Sequence, residues 1–153
     1  FLLRLRISEW IASCFKVGYL PLAPGTWGSI FAILLWWVFL KDLSIFIFCI
    51  IIVILFFTGI VVSNTIINHN QDNDPSYVII DELVGQWIAL LIIPDGYYNI
   101  LIIFVLFRFF DIIKPWPIRY FEQLPKGLGV MSDDVVAGLF TFILTQIINI
   151  YIF

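Results

Sequence analysis

Apolar residues dominate the chain in five long runs that are separated by short polar segments. The runs lie at residues 27–40, 43–62, 79–94, 97–113 and 135–153. Two of them, 43–62 and 135–153, carry no charge and approach the ~20 residues that a helix needs to cross the hydrocarbon core of a bilayer. The run at 27–40 is shorter, so it crosses only if its helix starts earlier, tilts or thins the bilayer.

The runs at 79–94 and 97–113 are long enough to cross only if their charged ends belong to the helices. Residues that favour turns separate the five runs and lie at 41–42, 68–76, 94–96 and 114–129. The pattern predicts an all-α fold, a polytopic membrane helix bundle with about five transmembrane helices. We expect residues 1–153 to form a single integral membrane domain.

The first twenty residues have a different pattern. Apolar side chains recur there at helical spacing and include Leu3, Ile7, Trp10, Ile11, Cys14, Phe15 and Val17. This predicts an N-terminal amphipathic helix over 1–20 that lies in the membrane interface, although an ordinary packed helix end would show the same spacing. Glu9 and Lys16 interrupt the segment, so we do not expect a cleavable signal peptide.

Composition agrees with a membrane protein and excludes one class of partner. The chain is 62% hydrophobic and 12% charged, whereas soluble domains are ~25% charged. Its net charge is −3, and no basic stripe is available to neutralise phosphates, so we expect no nucleic-acid partner. The sequence does not define the oligomeric state.

Five crossings would gather nearly all polar motifs on one side of the membrane. The far side would keep only Lys41, Asp42 and Asp95 among its charged residues. The near side would hold most of the basic residues, and these are Arg4, Arg6, Lys16, Lys114, Arg119 and Lys126. By the positive-inside rule this side is expected to be cytoplasmic.

Five acidic residues fall at the ends of three predicted helices on that side: Asp81, Glu82, Asp111, Asp133 and Asp134. Burying so much negative charge requires a compensating cation. Oxygen ligands favour Mg²⁺, or else Mn²⁺ or Ca²⁺, over zinc. Gly85 and Gly138 each follow an acid by four residues, which leaves room for an ion or for close helix packing. For one acidic pair alone, complementation of a helix dipole would be the usual explanation.

Basic and hydroxyl residues near these acids are candidates for binding a phosphate. Arg108, Lys114 and Arg119 are suitable donors, but they could also pair with the acids or extend toward lipid headgroups. The segment APGTWGS at 23–29 offers Thr26, Ser29 and free N–H groups at a helix start, although such a segment is also a common way to begin a helix. His69 lies in a polar segment and is expected to be solvated.

These residue types favour metal-dependent phosphoryl transfer, with either a water or a carboxylate as the nucleophile. With one His and neither Cys followed by Arg six residues later, phosphohistidine and cysteine-phosphatase mechanisms are not expected. A small cation transporter or channel would use acidic clusters too, but it predicts polar groups throughout the membrane depth. A lipid-binding subunit without catalysis would not require five carboxylates.

Four motifs in order, PLAPGTWGS, IIDELVGQW, FRFFDIIKPWPI and GLGVMSDDVVAG, resemble those of the phosphatidylglycerophosphatase A family of bacterial inner-membrane lipid phosphatases. The resemblance implies Mg²⁺-dependent hydrolysis of phosphatidylglycerophosphate to phosphatidylglycerol and phosphate at the cytoplasmic face, with a phospholipid substrate held in the membrane. It implies functional roles for Thr26, Ser29, Asp81, Glu82, Arg108, Asp111, Lys114, Asp133 and Asp134. Of these, Asp81, Glu82, Asp133 and Asp134 are the expected metal ligands.

Overall fold

A computed structural model describes residues 1–152, and over that range the chain forms α-helices and contains no strand. The helices are α1 (Leu2–Ala12), α2 (Pro24–Leu35), α3 (Ile45–Asn70), α4 (Ile80–Ala89), α5 (Tyr98–Ile113), α6 (Ile118–Glu122) and α7 (Lys126–Ile152). One turn of π-helix (Trp36–Leu40) continues α2, and a 3₁₀ turn (Val17–Tyr19) precedes it. The expectation of an all-α fold is confirmed.

The two longest helices, α3 and α7, have the length and composition to span a membrane. They contain 26 and 27 residues, and in the most apolar 18-residue stretch of each only 22% of the residues are buried inside the protein. The core helix of a soluble protein would instead bury most of these side chains, since exposed apolar surface is unfavourable in water. The segment Pro24–Leu40 is a shorter apolar helix.

Both long helices extend beyond the apolar runs that predict them. Helix α3 continues eight residues past position 62, and α7 begins nine residues before 135. The polar extensions contact each other, because Asn64 Oδ1 accepts a hydrogen bond from the N–H of Gly127 at 2.9 Å and Asn68 Oδ1 accepts one from Lys126 Nζ at 2.6 Å. The first of these bonds satisfies a backbone N–H at the start of α7. Parts of the segments expected to be turns at 68–76 and 114–129 are therefore helical.

Helix α4 is short and lies at the centre of the bundle. Nine of its ten residues are buried, and Trp87 Nε1 donates a hydrogen bond to the carbonyl of Ala32 in α2 at 2.8 Å. At ~1.5 Å per residue its helix is ~15 Å long, about half the thickness of the hydrocarbon core. The run at 79–94 is therefore only partly helical, since the helix ends at Ala89.

The segment between α4 and α5 is irregular, and polar side chains satisfy its carbonyl groups. Gln146 of α7 donates to the carbonyl of Ile92 at 2.7 Å, and Asn99 donates to those of Pro94 and Asp95 at 3.1 and 2.8 Å. Inside a bilayer, irregular backbone is tolerated only where the protein itself supplies such partners. These bonds explain how the helix ends early without leaving these carbonyls unpaired.

The N-terminal helix is shorter than the predicted 1–20 segment. Helix α1 ends at Ala12 and is followed by Cys14, Phe15 and Lys16, whose φ angles of 49°, 59° and 71° are incompatible with a right-handed helix. The buried residues of α1 are Leu5, Ser8 and Ala12. Apolar side chains on its other faces are exposed, and these include Ile7, Trp10 and Ile11. The helix thus packs on the bundle through one face and presents apolar side chains outward.

Candidate active site

The crossing of α4 and α7 is built around two glycines. A Cβ atom on Gly85 would lie 2.5 Å from the carbonyl oxygen of Asp134, and one on Gly138 would overlap the carbonyl oxygen of Gly85. Only residues without a side chain permit this backbone approach. The crossing places the acidic pair at the start of α4 beside Asp133 and Asp134 of α7.

All five predicted acidic residues meet at this crossing. Ligand atoms of Asp81, Asp133 and Asp134 lie within 4.8 Å of one another, as do those of Glu82, Asp111 and Asp134. Asp134 belongs to both groups. Four of the five residues are buried, and Glu82 is half-buried. The structure therefore brings together every carboxylate that the sequence identifies as a candidate ligand.

The acids of α7 do not lie at the helix end where the sequence places them. Helix α7 begins at Lys126, so Asp133 and Asp134 follow its start by seven and eight residues. The effect of a helix dipole falls off within the first turn. Dipole complementation therefore does not account for this pair, whereas Asp81 and Glu82 do lie in the first turn of α4.

The two basic residues at the end of α5, Arg108 and Lys114, form ion pairs with acids. Arg108 forms an ion pair with Asp111 one turn later. Lys114 follows the helix with a left-handed φ of 50°, and its Nζ lies 2.5 Å from an oxygen of Asp133 and 3.2 Å from one of Glu122. Burial by itself lowers the pKa of Lys114, but the Asp133 carboxylate and its hydrogen bond raise that pKa above its ordinary value. Its pairing with Asp133 therefore favours the charged form of Lys114.

Several buried polar atoms in the cluster have no hydrogen-bond partner among the described residues. They are Asp81 Oδ1, Glu82 Oε2, Asp134 Oδ2 and Arg108 Nε. A buried polar group without a partner costs about 1–3 kcal/mol, and more if it is charged. Three unpartnered carboxylate oxygens from two facing helices match the oxygen ligands that Mg²⁺ takes in proteins. The residues present therefore fit a divalent cation.

The start of α2 lies against the same cluster. A Cβ atom on Gly25 would lie 2.7 Å from Glu82 Oε1 and 2.9 Å from Arg108 Nη2. Thr26 follows in the first turn and is half-buried. Ser29 is fully buried, and its Oγ has no partner in the described part of the chain. The segment predicted to bind an anion therefore lies near the acids. The N-terminus of a helix attracts anions.

A cavity of about 610 Å³ opens onto the cluster. It is lined by Asp81, Glu82, Asp111, Asp133 and Lys114 of the cluster, and by further polar residues that include Asn73, Ser76, Gln123 and Lys126. No motif or spacing distinguishes these further polar residues from ordinary loop residues, so they were not predicted. The signal available was their position in the polar segments that precede DELVG and GLGVMSDD.

Two other residues named from the sequence lie elsewhere. Arg119 is exposed and lines a cleft with Trp116 and Tyr120, and this cleft shares Lys114 and Gln123 with the acidic cavity. The described structure gives Arg119 no ion pair with the acidic cluster, and its role in binding phosphate stays a prediction. His69 is exposed in the last turn of α3 and does not line the acidic cavity, in keeping with the expected solvated position.

Comparison with known proteins identifies the family of this chain. The sequence profile of phosphatidylglycerophosphatase A matches residues 10–149. The chain belongs to this family. It is 40% identical over 135 residues to the phosphatidylglycerophosphatase A of Haemophilus influenzae, covering 87% of this chain and 83% of that protein. It is 33% identical over 141 residues to the phosphatidylglycerophosphatase A of Escherichia coli, covering 89% and 81% of the two chains.

A third relative carries a different name. A Bacteroides thetaiotaomicron protein, provisionally named a phosphatidylinositol-3-phosphatase, is 39% identical over 144 residues and is aligned over 90% of each chain. No solved structure matches the fold. Membership of the phosphatidylglycerophosphatase A family makes the protein a phosphoric monoester hydrolase. Family membership and the two long apolar helices together make the protein a membrane protein.

Proposed function

We propose that the protein is a Mg²⁺-dependent lipid phosphatase that hydrolyses phosphatidylglycerophosphate to phosphatidylglycerol and phosphate. The observation that carries the proposal is the cluster of five carboxylates at the α4–α7 crossing, flanked by Arg108 and Lys114. Acids that hold a divalent cation and bases that neutralise phosphate are the components that phosphoryl transfer requires. The names of the Haemophilus influenzae and Escherichia coli relatives support this substrate.

Asp81, Glu82, Asp133 and Asp134 would hold the cation, with Asp111 beside them. When bound, Mg²⁺ supplies polarisation of the phosphoryl oxygens and stabilises the charge that develops on them. The three unpartnered carboxylate oxygens support this assignment. The acids do not themselves attract a phosphate dianion, so the basic residues determine where the phosphate lies.

Arg108 and the start of α2 would orient the phosphate. Arg108 Nε is buried and unpartnered, and the Gly25 backbone lies beside the guanidinium. An arginine fork holds phosphate oxygens in fixed geometry, and the free N–H groups at a helix start add to it. Lys114, which pairs with Asp133, would contribute as a point charge.

We further propose that the chain crosses the bacterial inner membrane five times, with the cavity at the cytoplasmic face. The excess of Lys and Arg on the cavity side supports this orientation. Short α4 would cross together with the irregular segment that follows it, since that segment has internal hydrogen-bond partners. The lipid tails would stay in the bilayer while the headgroup enters the cavity.

A phosphoinositide is the second candidate substrate. The name of the Bacteroides thetaiotaomicron relative favours it, and the cavity volume of about 610 Å³ gives no reason to exclude a headgroup larger than glycerol phosphate. Both lipids present a phosphate monoester on a polar headgroup, so the metal site does not distinguish them. Such discrimination would arise at the other polar residues that line the cavity, such as Asn73, Ser76 and Gln123.

The test is phosphate release by the purified protein from each of the two lipids in mixed micelles, with Mg²⁺ and with excess EDTA. We expect turnover of phosphatidylglycerophosphate that requires Mg²⁺ and exceeds turnover of phosphatidylinositol 3-phosphate. Asp81→Asn should lower turnover by about a hundredfold or more, because a lost ligand weakens the stabilisation of phosphoryl charge.

Asp95→Asn is the matched control, since this exposed residue lies at the opposite end of the helices and outside the cavity. It should retain wild-type turnover. Full activity of the Asp81→Asn protein in EDTA would refute the metal-dependent mechanism. Preferential hydrolysis of the phosphoinositide would replace the proposed substrate with the second candidate.

A further inference from the structure

We propose that the acidic cluster binds two divalent cations, with Asp134 as the ligand shared between them. The proposal deepens the proposed function and rests on its metal dependence. It assigns Asp81 and Asp133 to one ion and Glu82 and Asp111 to the other.

The carboxylates form two overlapping groups that share Asp134. Asp81 and Asp133 have ligand atoms within 4.8 Å of an oxygen of Asp134, and Glu82 and Asp111 form a second such group with the same residue. Paired metal ions in phosphatases lie ~3.5–4 Å apart and act on both the attacking and the leaving oxygen. A carboxylate has two oxygens, so a single aspartate at the centre can contact both ions.

The unpartnered oxygens are distributed between the same two groups. Asp81, whose Oδ1 is unpartnered, belongs to the first group, Glu82, whose Oε2 is unpartnered, belongs to the second, and Asp134, whose Oδ2 is unpartnered, belongs to both. Asp134 is 1% exposed, and Asp81, which lines the cavity, is 8% exposed. One cation in the first group would leave the oxygen of Glu82 without a partner, which a second cation would supply.

The charge balance of the site also favours two ions. The five carboxylates and Glu122, which pairs with Lys114, carry six negative charges when ionised, and Arg108 and Lys114 return two positive ones. One divalent cation would leave the site negative, and it would repel a phosphate. Two divalent cations neutralise it, which removes the repulsion of the dianionic monoester of the substrate.

The test uses Mn²⁺ as a paramagnetic probe on the purified full chain in lipid nanodiscs. Titration followed by the electron paramagnetic resonance signal of free Mn²⁺ should give two ions bound per chain. At saturation, the low-temperature spectrum should show the splitting of an exchange-coupled pair. Glu82→Gln should bind one ion and lose the coupling, and Asp134→Asn should also lose the coupling. Asp95→Asn should behave as wild type.

If Glu82→Gln does not fold, Asp111→Asn removes a ligand from the same group and should give the same loss of one ion. A wild-type chain that binds one Mn²⁺, or none, overturns the proposal, as does retention of a coupled pair by folded Glu82→Gln. Phosphate release measured on the same samples separates the two proposals. Two bound ions without turnover would contradict the proposed function alone, whereas turnover with one bound ion would contradict this inference alone.

Discussion

Substitution of Gly85 by alanine tests whether the close approach of α4 and α7 assembles the active site. The new Cβ would lie 2.5 Å from the carbonyl oxygen of Asp134 and 2.7 Å from the ring of Phe107, whereas ordinary van der Waals contact begins at 3.4 Å. Backbone and a buried ring cannot rotate away from the methyl group. The helices must therefore separate by about 0.9 Å at the crossing, the difference between 3.4 and 2.5 Å.

That displacement should reduce activity far more than stability. A misplacement of ~1 Å near reacting groups can lower turnover by ~100-fold, and the carboxylates of α4 and α7 must keep their spacing to share a cation. We therefore expect Gly85→Ala to lose about two orders of magnitude in kcat/KM. The cost of overpacking, ~1–3 kcal/mol, is partly offset by the ~1 kcal/mol that alanine gains over glycine in a helix, so the protein should remain folded.

The control is Gly59→Ala in α3. Its Cβ would also meet an atom at 2.5 Å, but that atom belongs to the end of the Met131 side chain, which is flexible and can move aside. We expect its kcat/KM to stay within about threefold of wild type. Phosphate release and thermal unfolding should be measured for both variants in the same detergent. Wild-type turnover in Gly85→Ala, or equal losses in the two variants, would refute the reasoning.

Three further predictions concern other parts of the molecule. Lys114→Gln should lower turnover at least about tenfold. Its Mg²⁺ affinity should be unchanged or slightly raised, because removing a positive charge makes the carboxylates more attractive to a cation. Near-normal turnover across a Mg²⁺ titration would mean that Lys114 serves only as a structural ion-pair partner. Burial raises the pKa of the Cys14 thiol to about 12. In a variant with the other cysteine replaced by serine, the folded protein should therefore resist N-ethylmaleimide at pH 8 and react once it is unfolded. Rapid labelling of the folded protein would contradict this. Cysteine tags at Asn70 and Lys126 should be labelled from the cytoplasm and one at Asp95 from the opposite side, whereas labelling of the first two from opposite sides would exclude the five-crossing arrangement.

Local patterns were sufficient to predict the helical fold and the acids of the site. The long apolar runs predict α3 and α7, because a bilayer requires the backbone to satisfy its own hydrogen bonds over the whole hydrocarbon thickness. The pairing of Arg108 with Asp111 was also within reach of the sequence, since residues three apart are neighbours on a helix. The five acids were identifiable because charge is rare and costly at the ends of apolar runs.

Helix ends and lengths were less predictable. Helix α7 starts at Lys126 because Asn64 of α3 accepts a hydrogen bond from the next residue, 63 positions away in the chain. Helix α4 stops at Ala89, and Gln146, from a distant part of the chain, satisfies a carbonyl beyond its end. Apolar periodicity contains no information on such partners, so the boundaries that depend on them differ from the predicted ones.

The sequence by itself determined which residues are available for chemistry, and the tertiary structure decided which of them act together. Arg108, Lys114 and Arg119 look equivalent as phosphate donors along the chain. Only the fold separates them: Lys114 meets Asp133 19 residues later at 2.5 Å, while Arg119 forms no ion pair with the acids in the described part of the chain. Hydrophobic patterning is a local property of the chain, whereas the approach of two backbones at Gly85 and Gly138 depends on the packing of every helix around α4.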